Sequence, residues 1–222
     1  MSRPVQIRDD VILDAARRIF LKHGYGAGTR QVARAAGVSE GSLFKRFKNK
    51  DALFLSAMAL ETGRWPWQDR LMQSVGTGDL SRTLGAAGLQ ILREVQSTLP
   101  RFLMVRSSGL DYARSPCADR CRMPHPVQKI RALAEYFRAE RKTGRLVMND
   151  PDVHAQAFIG MLSQYVIHEL LFGYRSTSPR AYVRNVVDML LRATATAAAR
   201  PRTRRTARRI PRPRPNTRTP RA

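Results

Sequence analysis

Cys117, Cys121 and His125 stand four residues apart, the spacing that puts two thiolates and an imidazole on one helix face, where they would bind zinc. Pro116, Pro124 and Pro126 argue against a continuous helix, and no fourth ligand lies nearby. The segment 115–126 reads as a loop with two free thiols, redox or metal sensing being the lesser alternative. His154 and His168 do not share a helix face at a ligating spacing and read as packing or surface residues. No phosphate-cradling glycine loop, nucleophile elbow or paired-carboxylate motif occurs. The expectation is a protein that is not an enzyme and needs no metal or cofactor.

The chemistry that the residue types do support is recognition of a polyanion. The formal net charge is +23, and the stretch from Arg200 to the end supplies +10 of it from ten arginines with no acid. The remainder is still strongly basic, which favours nucleic acid or an anionic membrane face as partner. No apolar stretch reaches spanning length; the longest candidate, 157–172, contains Gln164, His168 and Glu169. The N-terminal MSRPVQIRDD lacks the apolar core of a secretory signal, and two cysteines make no disulfide framework. A cytoplasmic protein without a membrane partner is expected.

The basic charge is organised at 29–50, TRQVARAAGVSEGSLFKRFKNK, where six basic residues accompany one acid. Ala33 is small where two helices must approach closely. Gly37 can take the positive φ of a tight turn, Val38 plugs the angle between the helices, and Ser39 caps the next helix. Leu43 and Phe47, four apart, face inward. Glu40, Ser42, Lys45 and Arg46 are left on the outer side of a helix suited to the major groove of DNA.

These motifs need helices to hold them, and the apolar periodicity supplies helices throughout. Asp9 and Asp10 open a first helix that ends at Gly24, Thr29 is expected to cap a second, and Asn49 caps a fourth. Further helices are expected over 79–98, 100–113, 127–142, 152–172 and 179–198. The fold class is therefore all-α: an N-terminal three-helix DNA-binding domain with a helix-turn-helix over 1–52, a larger helical domain over 53–199, and a disordered Arg/Pro-rich tail over 200–222.

Over 12–58 the chain resembles the TetR family of bacterial regulators. The resemblance rests on the AAR…F first helix, GY…T, VA…AGVS, GSLF…F and NKDAL. It implies a homodimer with small N-terminal DNA-binding domains and a larger ligand-binding and dimerising domain. Thr29 and Lys50 would touch phosphates of double-stranded DNA, Ser39 to Arg46 would form the recognition helix, and Arg30, Glu40, Ser42, Phe44 and Lys45 would complete the contact surface. Phe44 stands where many members carry Tyr, so a phenol-to-phosphate bond is absent; Arg46 offers a replacement. The resemblance also implies a cavity for a small-molecule effector. Its expected lining is Trp65, Trp67, Phe102, Met104, Tyr136, Phe137, Tyr165, His168 and Phe172, which suits a mostly apolar ligand. The two last long helices lack obvious intrachain mates for their apolar faces and are expected to meet their symmetry copies. The alternative is an architectural, largely non-specific DNA-binding protein without a ligand.

Overall fold

The computed structural model describes residues 9–59, 65–110 and 125–195. Cys117, Cys121 and the 200–222 tail lie outside the described residues. Among the described residues there are nine helices and no strand.

The first four, α1 (Asp9–His23), α2 (Thr29–Ala36), α3 (Glu40–Arg46) and α4 (Lys50–Met58), surround a small core. In α1 the 3.6-residue period buries Ile12, Ala15, Ala16 and Phe20 on one face. Phe20 meets Phe54 of α4 edge-on with ring centroids 5.1 Å apart. The last carbonyls of a helix have no partner within it. Arg17 meets that need by donating Nε to the Ala57 carbonyl oxygen at 3.0 Å, which tethers the end of α4 to α1. The division expected at 52/53 falls inside α4, whose Leu53, Phe54, Ala57 and Met58 pack in this core.

The other five, α5 (Pro66–Gln73), α6 (Leu80–Ser107), α7 (His125–Lys142), α8 (Pro151–Phe172) and α9 (Pro179–Thr194), enclose a larger core. Proline in the first turn starts α5, α8 and α9, where its missing N–H is no loss. Asp79, Asp150 and Ser178 cap α6, α8 and α9 by accepting backbone N–H bonds. The fully buried Glu140 of α7 accepts from Arg145 Nη1 at 3.2 Å and from the Gly76 N–H at 3.4 Å, so it pins the α5–α6 connection. Burial and the Glu140 charge together push the neighbouring Tyr136 phenol well above its ordinary range.

Three expectations change. One helix, α6, replaces the two expected around Pro100. Pro100 removes one helical N–H, the donor that the Gln96 carbonyl would otherwise meet. Burial of the flanking turns in both cores carries the helix through. Secondly, α7 starts at His125, so Pro126 lies in its first turn rather than in a loop. Thirdly, the apolar faces of α8 and α9 do have mates in the chain. Phe158, Leu162, Val183 and Val187 are buried in the large core with α6. An isolated antiparallel bridge between Leu146 and Ala195 fastens the end of α9.

Gly88 of α6 packs tightly in this core: an added Cβ would lie 2.8 Å from Val183 Cγ1 and 3.2 Å from Phe158 Cζ. At Gly85, one turn earlier, such an atom would meet nothing within 4 Å. Gly88→Ala should therefore lower stability by about 1–3 kcal/mol through overpacking, less what helix propensity returns. Gly85→Ala should raise it by up to about 1 kcal/mol. Denaturant midpoints of the two variants check the contrast.

Candidate nucleic-acid interface and ligand cavity

Gly37 takes φ 67°, the left-handed conformation that its lack of Cβ makes inexpensive, and lets the chain reverse between α2 and α3. The Val38 N–H donates to the Ala33 oxygen at 3.0 Å, and Ser39 Oγ accepts from the Ser42 N–H at 3.1 Å. Leu43 and Phe47 are buried, with Val38 packed against the same core. The turn is therefore held by capping and by burial together.

Thr29 departs from the expected capping role. Gly28 is the N-cap of α2 and offers no side chain, while the Thr29 hydroxyl donates across the motif to Glu40 Oε1 at 2.6 Å. Arg30, almost fully exposed, lies 3.8 Å from the other Glu40 oxygen. Glu40 is thus a brace between α2 and α3. Ser39 and Ser42 share a hydroxyl contact at 2.9 Å, and Arg46 is ion-paired to Asp9 of α1. Lys50 holds its ammonium 4.7 Å from the Tyr25 ring centroid. The Tyr25 hydroxyl donates to Asp51, and that bond, with burial and the Asp51 charge, pushes the phenol up to about 12. Phe44 and Lys45 point outward and exposed; Lys45 has no carboxylate partner among the described residues. The arrangement presents two cations, Lys45 and the Asp9-paired Arg46, and an aromatic edge on a short braced helix, flanked by Arg30 and Lys50. That surface can enter a groove and meet phosphates on both sides. Tyr25, Asp9 and Asp51, which hold it, lie within or beside the motifs but carry no chemistry that singles them out in sequence.

The nine residues expected to line a cavity separate. Trp65 and Trp67 stack with centroids 5.7 Å apart. Tyr136 and Phe137 are core residues, as is Tyr165, whose hydroxyl donates to the Thr177 oxygen at 2.7 Å. Met104 packs against the small N-terminal core. His168 sits with Gln164, ring nitrogen to amide at 2.8 Å, and Phe172 is 72% exposed at the end of α8. Phe102 alone among them borders a cavity of about 140 Å³. Its other walls are Val95, Thr98 and Leu99 of α6, Pro126 and Lys129 of α7, and Ile159 and Ser163 of α8.

Lys129 is the unexpected member. Its side chain is 3% exposed, its ammonium lies 3.0 Å from Glu94 Oε2, and Trp65 covers it with a centroid at 5.8 Å. Burial pulls its pKa below the ordinary lysine range, against the opposing pull of Glu94. A sequence signal existed: Lys129, Leu133, Tyr136, Phe137 and Glu140 recur at helical spacing on the buried face of α7, and charges on such a face need partners.

Residues 12–57 match the family described as "Bacterial regulatory proteins, tetR family", and residues 90–196 match "AefR-like transcriptional repressor, C-terminal domain". The chain belongs to the TetR family of bacterial DNA-binding transcriptional regulators. Over 168 residues it is 27% identical to the HTH-type transcriptional regulator YvkB of Bacillus subtilis, covering 75% of this chain and 85% of that protein. It is 44% identical over 54 residues to the HTH-type transcriptional repressor Rv1474c of Mycobacterium tuberculosis, covering 24% of this chain but only 29% of that protein. Its fold is shared with SmeT, the repressor of the Stenotrophomonas maltophilia multidrug efflux pump SmeDEF. That superposition has a TM-score of 0.61 at 19% identity and covers 95% of this chain and 98% of that one. A complex of SmeT with triclosan matches with a TM-score of 0.60 at 20% identity over 93% and 98% of the two chains.

The brace yields a test that needs no DNA. Glu40→Ala should cost about 1–2 kcal/mol, because a charged acceptor at a helix start and its hydroxyl donor are both lost. Arg30→Ala should cost almost nothing, since an exposed ion pair is weak. Thermal melts of both variants measure the difference.

Proposed function

We propose that this protein is a ligand-responsive repressor that binds a pseudo-palindromic operator as a homodimer and is released by a mostly apolar small molecule. Direct readout of bases is the role of Lys45 with Ser42 and Phe44 on α3, while Thr29, Arg30, Arg46 and Lys50 meet phosphates and fix the register. The arginine-rich 200–222 segment adds sequence-independent attraction to the DNA backbone.

Dimerisation is the role of the faces of α8 and α9 that the chain leaves uncovered. Val153 near the start of α8, Leu170, Leu171 and Phe172 at its end, and Met189 on α9 are exposed, and large apolar groups left uncovered along two helices suit an isologous contact. Two half-sites would then be read by two copies of α3.

The observation that carries the regulatory reading is the course of α6. Its early turns place Leu84, Ile91 and Val95 in the large core, and its last turns place Met104 and Val105 against the small one. Between them lie the cavity-wall residues Thr98, Leu99 and Phe102, and Arg101, whose Nη1 donates to the Ala59 oxygen just past α4 at 2.9 Å. A molecule in the cavity would bear on the segment that holds the DNA-binding helices, and so alter the spacing of the two recognition helices.

Selection of bound fragments from random double-stranded DNA tests this reading. The expected result is a palindrome protected by a dimer, with sedimentation showing the dimer at micromolar concentration. Lys45→Ala should then weaken the selected site by about 1–3 kcal/mol more than random DNA, whereas Lys50→Ala weakens both alike. Fragments recovered without a common sequence would favour the architectural alternative, and a monomer would overturn the operator geometry.

A further inference from the structure

We propose that Asp9 restrains the DNA-binding surface: by holding Arg46 in an ion pair it withholds a phosphate contact and sets how strongly the protein grips any duplex. The inference rests on the reading of Arg46 as a phosphate contact and adds the residue that controls it. Asp9 acts through Arg46 and is a positioning residue.

Arg46 stands in the last turn of α3, and Asp9 opens α1, 37 residues earlier. Arg46 Nη1 donates to Asp9 Oδ1. The pair is made by the fold, since the two residues come from different helices. The other carboxylates at this surface are differently engaged: Glu40 accepts from the Thr29 hydroxyl and Asp51 from the Tyr25 hydroxyl. Asp9 is the one that takes the single arginine of α3.

The exposures of the two partners decide what the pair does. The Arg46 side chain is 33% exposed and the Asp9 side chain 62%. The carboxylate is therefore not a buried support behind the arginine; it shares the solvent from which a phosphate arrives. A guanidinium is compact, so a phosphate on another of its N–H groups lies inside the roughly 8–10 Å over which charges act at cellular salt. Such a phosphate meets the field of a neutral pair rather than that of a free cation.

Sequence-independent affinity for DNA comes from protein cations that release the counterions condensed on its phosphates. An Arg46 that stays with Asp9 releases none on balance. An Arg46 that leaves Asp9 exposes a carboxylate that recruits a cation from solution, so the net release is again near zero. In a chain of formal net charge +23, with six basic residues against one acid over 29–50, this restraint opposes the surplus where DNA docks. A weaker grip acts mainly on the rate of leaving, so the protein quits non-operator DNA sooner.

Fluorescence anisotropy of the full chain on a mixed-sequence duplex, over a range of salt, tests the restraint. Asp9→Asn should bind about two- to fivefold tighter, the worth of one exposed charge contact. The slope of log K against log salt should steepen by about 0.9. A duplex selected from a random pool should gain by the same factor, because phosphate contacts carry no sequence. The sign separates restraint from bracing: if Asp9 served only to brace α3, its loss would loosen the helix and weaken binding. In the Arg46→Ala protein, Asp9→Asn should lose most of its gain. An exposed pair contributes little stability, so both single variants and the double variant should fold, which thermal melts check. The restraint is ruled out if Asp9→Asn binds no tighter or keeps the wild-type salt slope. An equal gain with Ala in place of Arg46 also rules it out, because that gain is bulk charge alone. If Arg46→Ala costs nothing in the Asp9→Asn protein, Arg46 is no phosphate contact, and the reading beneath the inference falls with it. If it costs affinity there while Asp9→Asn gains nothing, the restraint alone falls.

Discussion

The uninterrupted course of α6 through Pro100 is the constraint on which the arrangement of the molecule depends. A break at that proline would leave two cores joined by a hinge. The helix survives because its early turns bury leucine, isoleucine and valine in the large core while Val105 is buried in the small one. The gain from burying those turns outweighs one missing backbone bond. The cavity borders the same stretch of α6, at Val95, Thr98, Leu99 and Phe102.

A second economy lies in how the basic N-terminal surface tolerates its own charge. Carboxylates hold three of its polar groups: Glu40 takes Thr29, Asp9 takes Arg46 and Asp51 takes the Tyr25 hydroxyl under Lys50. The first two fix α3 against α2 and α1, and the third ties α4 to the α1–α2 connection, before any partner arrives. Side chains that are already ordered lose less entropy on binding, so the exposed Lys45 and Phe44 are presented on a rigid support. The cost falls on Arg46 and Thr29, which must leave or share Asp9 and Glu40 to reach phosphates.

Much of this was legible in the sequence, for reasons that differ from element to element. The turn at Gly37-Val38-Ser39 was readable because each residue answers a local demand: positive φ, a plug between helices, a cap. The long helices were readable from their apolar period. The role of Thr29 was not, because its partner Glu40 is reached only after the turn folds back, and a hydroxyl gives no sign in sequence of choosing a distant carboxylate over its own helix end. Pro100 misled because its local effect is to end helices, and only burial in two cores opposes it. The aromatic residues expected around one ligand scattered to a core, a surface and a cavity. Residue type reports apolarity but not which of three apolar environments it fills. Lys129, paired with Glu94, lines the cavity instead, and its trace was a lysine on the buried face of α7.

The central claim is that DNA at α3 and the cavity wall in α6 belong to one coupled body. Amide hydrogen exchange on the ligand-free protein, alone and bound to a DNA fragment selected from a random pool, measures it most directly. The account predicts slowed exchange with operator not only in α1 to α3 but also in α4 and in residues 95–105 of α6, and much less of it with random DNA. Protection confined to α1–α3, with 95–105 exchanging as in the free protein, would contradict it.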